Sequence, residues 1–379
     1  MANEKIKLQE TKGTFKVIGK VTRIDKDGAF KEEVMDKPDN KNHGRLYRSL
    51  RFGVKTSPTN EIIVQTFDYE PEQVFLWNSK KKEQDSSYKG DRIPFGTWEE
   101  QQDELREQGY VVLQSRIGLD YDENGKLKTR GLPRFVASRE IYENLNNGDS
   151  VVVEGTIRYS KYKNRNDEIV EQKNYTIEKV FRIKDIDFED EKFEEVSYFE
   201  QEMVFVDADL DKKEKKAYVT GRIIDFNGNF EDTQFVVNFA NEEGESDPAM
   251  LKLAQAFAKK MKFGDVINVF GDTINRVIVE EVEEEEDDDD DLLAELGGRS
   301  KPKHAQSYVS RTYITEMSIN GVDAWKKEVY TEDDFEKDSL IDGDEELAEL
   351  GGKKKPKGKN PFDLGDDSNI EIDEDSLPF

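Results

Sequence analysis

Two short segments carry side chains suited to chemistry with a polyanion. RYSKYKNRND, 158–167, interleaves Arg158, Lys161, Lys163 and Arg165 with Tyr159 and Tyr162, and HGRLYRSLRF, 43–52, supplies Arg45, Tyr47, Arg48, Arg51 and Phe52. Guanidinium and ammonium groups neutralise phosphates, and exposed aromatic faces stack flat rings for about 1–3 kcal/mol each. The interleaving therefore suits a single strand whose bases are uncovered. A third cluster sets Phe75 and Trp77 ahead of Lys80, Lys81 and Lys82, with Tyr88, Lys89 and Arg92 close behind. The bland alternative is the same for all three. Aromatic residues alternating on a strand face a core on one side, surface cations are common, and the run Val-Phe-Leu-Trp reads as a buried strand.

Other chemistries lack their residues. The chain has no Cys and 2 His, which removes thiolate zinc sites, disulfide scaffolds and cysteine nucleophiles. There is no phosphate-binding Gly-x-x-x-x-Gly-Lys-Ser/Thr loop and no His-Glu-x-x-His, and neither His43 nor His304 has a Ser or Asp constellation around it. We therefore expect no catalytic residue, no metal and no cofactor. The 85 acidic and 57 basic side chains leave a net charge of −28, distributed unevenly: residues 1–184 hold 34 basic against 31 acidic, a net of +3, and the rest carries −31. Beyond a Debye length of about 8–10 Å only local potential matters, so an acidic second half does not exclude a polyanion on the first. The densest acidic run is EEEEDDDDD, 283–291. No apolar run approaches the ~20 residues that span a bilayer, and the polar start MANEKIKLQE is unlike a signal peptide. These features point to a soluble, intracellular chain without membrane contact.

The elements that must position the basic and aromatic residues repeat. VIGKV at 17–21 recurs as VTGRI at 219–223, and GDSVVVEGTI at 148–157 recurs as GDVINVFGDTI at 264–274, each Gly-Asp preceded by a helical stretch. The second helix places Met250, Leu251, Ala254, Phe257 and Met261 on one face. Glycine inside a strand is tolerated where a sheet must bend or coil, as in a small closed barrel. The order of strands, with a helix before the fourth, resembles the OB-fold, a five-stranded Greek-key barrel that binds oligonucleotides. The expected fold is mainly β with minor α: one OB-fold domain over 1–190 with an insertion at about 68–134, a second over 191–324 with an acidic disordered insertion at about 281–306, and a disordered acidic tail over 325–379. Strands are expected near 13–25, 46–56, 60–67, 150–160 and 172–184, then near 216–226, 229–240, 264–280 and 307–319, with no clear third strand in the second copy. A helix is expected over 98–108 and a turn at 122–125. In the second copy Arg222, Phe226, Phe230, Phe239 and Arg276 form a weaker candidate surface.

The chain ends in EIDEDSLPF. Acidic residues followed by Leu-Pro-Phe at a free terminus resemble the tip of bacterial single-stranded DNA-binding proteins, carried on a disordered acidic tail. The resemblance implies coating of single-stranded DNA in replication, recombination and repair, in the cytoplasm of a bacterial or phage-infected cell. It also implies recruitment of replication and recombination proteins through Asp373, Glu374, Asp375, Leu377, Pro378 and Phe379. Ser376 departs from the acidic pattern, and two barrels with long insertions look more like a large bacteriophage-encoded version than the usual single-barrel form, which leaves the oligomeric state open. The rivals are a protein-binding scaffold with little DNA affinity and a polyanionic DNA mimic. A duplicated segment, DDLLAELGGRSKPK at 290–303 and DEELAELGGKKKPK at 344–357, is either a short frayed helix between solvated charges or a repeated docking motif.

Overall fold

A computed structural model describes residues 8–38, 40–163, 169–241, 244–282 and 308–336. The first part of the chain forms β1 (Gly13–Thr22), β2 (Phe30–Val34), β3 (Leu46–Lys55) and β4 (Glu61–Tyr69). Next come β5 (Gln73–Leu76), α1 (Ser79–Gln84), β6 (Asp91–Pro94), α2 (Phe95–Glu107), β7 (Ser115–Tyr121) and β8 (Leu127–Leu132). These lead into α3 (Arg134–Asn144), β9 (Ser150–Lys163) and β10 (Ile169–Arg182). The second part forms β11 (Val196–Asp211), β12 (Lys216–Ile224), β13 (Phe230–Asn238), α4 (Pro248–Lys260), β14 (Val266–Val282) and β15 (Tyr308–Lys326), and a 3-10 turn follows at Glu332–Phe335. The protein is mainly β. Thirteen strands join one large mixed sheet, and β5 and β6 pair separately.

Strand pairing closes twice. β1 pairs β3, β3 pairs β4, β4 runs parallel to β10, β10 pairs β9, and β9 returns to β1. In the second part β11 pairs β12, β12 pairs β13, β13 runs parallel to β15, β15 pairs β14, and β14 returns to β11. In each ring a helix, α3 or α4, directly precedes the fourth strand. In α4 Ala254 and Phe257 are fully buried, and Asp247 caps the helix by accepting from the amides of Ala249 and Met250 at 2.7 and 3.1 Å.

The repeated glycines show why the rings close. Gly155 of β9 lies between Phe15 of β1 and Ile177 of β10, and Gly271 of β14 lies between Phe199 of β11 and Ile319 of β15. A Cβ would run into the Thr176 carbonyl at the first position and the Ser318 carbonyl at the second. The strand there serves two partners at once, and only glycine admits the approach. The Gly-Asp turns also match. Gly148 and Gly264 have φ of 93° and 86°, and the following Asp149 and Asp265 each accept from an amide three residues earlier, at 2.9 and 3.1 Å.

One expectation is corrected by this topology. VTGRI is not the counterpart of VIGKV: it lies on β12, the second strand of its ring. The strand equivalent to β1 is β11, VSYFEQEMVFVDADLD, whose alternation is masked in the sequence by polar Ser197 and Gln201 at inward positions. The strands expected at 216–226 and 229–240 are the second and third of the ring, β12 and β13, and the one without a counterpart in the sequence reading is the first, β11. β1 and β11 pair antiparallel with Phe15 opposite Phe199, equivalent residues of the two rings, so the rings meet first strand against first strand about a local two-fold. A buried polar seam joins them further. Asn60, 0% exposed in the turn between β3 and β4, donates to Glu195 at 2.7 Å and to the Thr273 carbonyl at 3.1 Å, and accepts from the Asn275 amide at 2.7 Å.

Candidate nucleic-acid interface

On β3 side chains alternate strictly. Arg48, Leu50, Phe52 and Val54 point inward, and Tyr47, Ser49 and Arg51 point out. The register places Tyr47 opposite Tyr69, Ser49 opposite Phe67 and Arg51 opposite Gln65 on β4. The outer face therefore gathers an aromatic group: Tyr47 and Phe67 lie 5.3 Å apart, Phe67 and Tyr69 5.2 Å, and Tyr47 and Tyr69 6.1 Å. Phe67 is 46% exposed, although nothing but sequence parity required an aromatic there. Arg45 lies 5.1 Å over the Tyr69 ring and is oriented by donation to Asn42 at 2.8 Å and to the Glu70 carbonyl at 3.0 Å. The Tyr47 hydroxyl donates to Glu33 at 2.7 Å, and that bond raises its pKa above the ordinary tyrosine value.

Beside the aromatics runs a polar row across three strands. Gln65 of β4 donates to Asn174 of β10 at 2.9 Å, and Asn174 donates to Ser160 of β9 at 3.1 Å. Exposed arginines flank it: Arg51 opposite Gln65 and Arg158 opposite Asn174. Among the described residues no side chain pairs with either guanidinium. Together the face offers stacking surface, hydrogen-bonding amides and two uncommitted cations.

Several expected contacts do not reach this face. Phe52 is 1% exposed and belongs to the core, since its position has the inward parity. Arg48 is 8% exposed and structural: it donates to Glu32 at 2.6 Å and to the Phe135 carbonyl at 3.1 Å, and lies 3.8 Å over the Phe135 ring. Burial alone would raise the Glu32 pKa, but Arg48 and Arg139 outweigh it and hold the carboxyl below its ordinary range. Tyr159 also turns inward. Its ring packs against the core, its hydroxyl lies 3.1 Å from buried Gln201, and burial drives its pKa well above the usual value. Lys161, Tyr162 and Lys163 lie on the β9 strand of the β9–β10 hairpin, and their side chains and Arg165 lie outside the described residues. So do Asp373, Glu374, Asp375, Leu377, Pro378 and Phe379, and both copies of the LAELGG segment.

The insertion cluster is divided between the separate β5–β6 sheet, which carries Phe75 and Arg92, and α1, which carries Lys80, Lys81 and Lys82. Half-buried Trp77 lies 5.5 Å from the Tyr88 ring and carries Lys82 at 5.9 Å. Lys82 donates to the carbonyls of Ser86 and Tyr88, and Lys81 to Asp91 at 3.0 Å, which leaves Lys80 as the exposed lysine of the three without a described partner. In the second ring the candidate cations are paired with carboxylates. Arg222 pairs with Asp232 through two bonds of 2.6 and 2.9 Å and lies 4.6 and 4.5 Å over the Phe230 and Phe335 rings. Lys216 pairs with Glu316 at 2.6 Å and Arg276 with Glu195 at 2.8 Å. Phe239 is buried, and Phe226, 75% exposed, stands alone at the β12–β13 turn.

The sequence reading missed Phe67, Tyr69, Gln65 and Asn174. The signal was present in QTFDY, 65–69, where Gln65, Phe67 and Tyr69 share a parity. Among the described residues no group of three or more His, Cys, Asp or Glu is arranged to hold a metal, and no helix is long and apolar enough to cross a membrane.

Residues 96–349 match the model of the YorF family. No curated protein matches the chain in sequence. Among solved structures, that of a deletion mutant of the single-stranded DNA-binding protein from Thermus aquaticus aligns at 13% identity and a TM-score of 0.30, over 71% of this chain and 89% of that chain.

Proposed function

The chain belongs to the YorF family, and we propose that it binds single-stranded DNA on the outer face of β3 and β4. Both rings are read as OB-folds: strand order, the parallel third and fifth strands, and the helix before the fourth strand all agree with that barrel. One observation carries the assignment. The half-exposed aromatic group Tyr47, Phe67 and Tyr69 lies beside Arg51 and Arg158, whose charges are not spent on described side chains. Stacking and phosphate neutralisation are the two terms that bind a single strand without sequence preference. A duplex hides its base faces, so the same surface discriminates against it.

On this proposal the protein is a binding protein and not an enzyme. It works in a bacterial cytoplasm, coats DNA during replication, recombination and repair, and uses its terminal Leu377, Pro378 and Phe379 to recruit partners. The second ring takes a protein-binding or structural role, because Arg222, Lys216 and Arg276 are all committed to carboxylates. The test is a fluorescence titration of the full chain with dT30, a matched duplex and RNA at two salt concentrations. Tight, salt-sensitive preference for dT30 is expected. Equal binding of duplex and dT30 would remove the stacking face from the mechanism, and no binding at all would favour a protein scaffold.

A further inference from the structure

Aromatic stacking accepts any base, but the row beside it does not have to. Gln65 precedes Phe67 by two residues on the same face of β4, about 7 Å along the strand. A base lying on Phe67 therefore presents its edge within reach of the Gln65 amide. That amide is held in place, since one of its N–H groups donates to Asn174 at 2.9 Å, and Asn174 is itself fixed by donating to Ser160 at 3.1 Å. Each amide keeps capacity after those bonds are counted: the Gln65 Oε1 and second N–H, and the second N–H of Asn174. An acceptor and a donor side by side form the pair that engages a purine carrying an amino group next to a ring nitrogen.

We infer that Gln65 and Asn174 read the edge of the base stacked on Phe67 and favour adenine over thymine. Adenine presents N6–H next to N7 on one edge and next to N1 on the other, so it can satisfy the amide in two orientations. Thymine offers one such edge and a smaller stacking face. Arg51 and Arg158 bracket the row and take the flanking phosphates, which sets the backbone on either side of the reading position. The inference rests on the single-strand assignment of the same face.

The experiment compares dA20 and dT20 binding to the full-length protein and to the Gln65→Leu/Asn174→Leu double variant. Self-stacking of dA20 enters both proteins equally and cancels when the two affinity ratios are compared. The ratio should move toward thymine by about fivefold or more, the lower end of what one bidentate amide–adenine pair discriminates. A Gln65→Met variant, which keeps the shape and removes the polar atoms, guards against a folding defect and should move the ratio in the same direction. An unchanged ratio in variants that still bind both oligonucleotides overturns the edge reading and leaves the coating role intact. A wild-type protein that binds neither overturns both.

Discussion

Phe67 is the residue whose removal separates binding from folding most sharply. It is 46% exposed, and its contacts are with the neighbouring rings of Tyr47 and Tyr69 at 5.3 and 5.2 Å. If one base stacks on it, Phe67→Ala removes about 1–3 kcal/mol of binding free energy. At about 1.4 kcal/mol per factor of ten, affinity for dT30 falls roughly 5- to 150-fold. The cost to folding is much smaller, at most about 1–2 kcal/mol from one tilted and one edge-on ring contact. The control lies on the neighbouring strand. Phe52 is 1% exposed, and Phe52→Ala should destabilise by about 3–5 kcal/mol while the folded fraction binds as before. Titration of dT30 by fluorescence, paired with urea unfolding of each variant, measures both quantities. Phe67→Ala binding within twofold of wild type, in a protein of wild-type stability, would refute the placement of the strand on this face.

Three further outcomes follow from the same geometry. Arg51→Gln and Arg158→Gln should each flatten the dependence of log K on log salt by about 0.7, the slope for one single-strand phosphate, whereas Arg48→Gln should leave the slope unchanged and lower stability. Arg222→Met should leave DNA affinity unaltered and lower the free energy of unfolding by about 1.5–3 kcal/mol, for charge-assisted bonds lost to Asp232, read by urea unfolding. Glu32→Gln should show its full stability deficit near neutral pH and a shrinking one as pH falls below about 4.3. The Glu32 pKa is depressed in the folded state, so its contribution exists above the unfolded pKa and disappears on descent through the lower folded value. Chemical unfolding of both proteins across that range tests the sign, and a deficit that grows in acid would contradict it.

Legibility in the sequence followed parity and local repetition. The Gly-Asp turns and the strand glycines Gly155 and Gly271 identified the fourth strand of each ring, because the requirement for glycine at a doubly paired strand is local. β11 was not legible. Its inward residues Ser197, Phe199, Gln201 and Met203 include two polar side chains, and its place is set by pairing with β1, nearly two hundred residues away in sequence. The site was half visible for a related reason. Arg48, Arg51 and Phe52 are chemically right, but within one strand only one parity can face out, and applying that rule keeps Tyr47 and Arg51 and releases Arg48 and Phe52. Gln65 was legible by its parity with Phe67 and Tyr69, but Asn174 had no signal of its own: its place beside Gln65 depends on β4 and β10 lying parallel and adjacent. Tyr159 failed because its inner face meets Gln201 of the other ring, a contact that no single-barrel pattern contains.

The two rings share a topology and a sheet, yet their surfaces have separated by pairing and not by count of cations. In the second ring Arg222, Lys216 and Arg276 each have a carboxylate within 2.8 Å, and Arg222 is further shielded by Phe230 and Phe335. In the first, Arg51 and Arg158 stand exposed with no described partner. A guanidinium already holding a carboxylate must break that pair before it can meet a phosphate, so its cost of engagement cancels most of its gain. An unpaired one pays only its hydration. The net charge of the chain is therefore a poor guide to where a polyanion lies. On the proposed reading, the cost of breaking existing ion pairs favours the first ring for the DNA strand, and the acidic segments of the second half add repulsion on the other side.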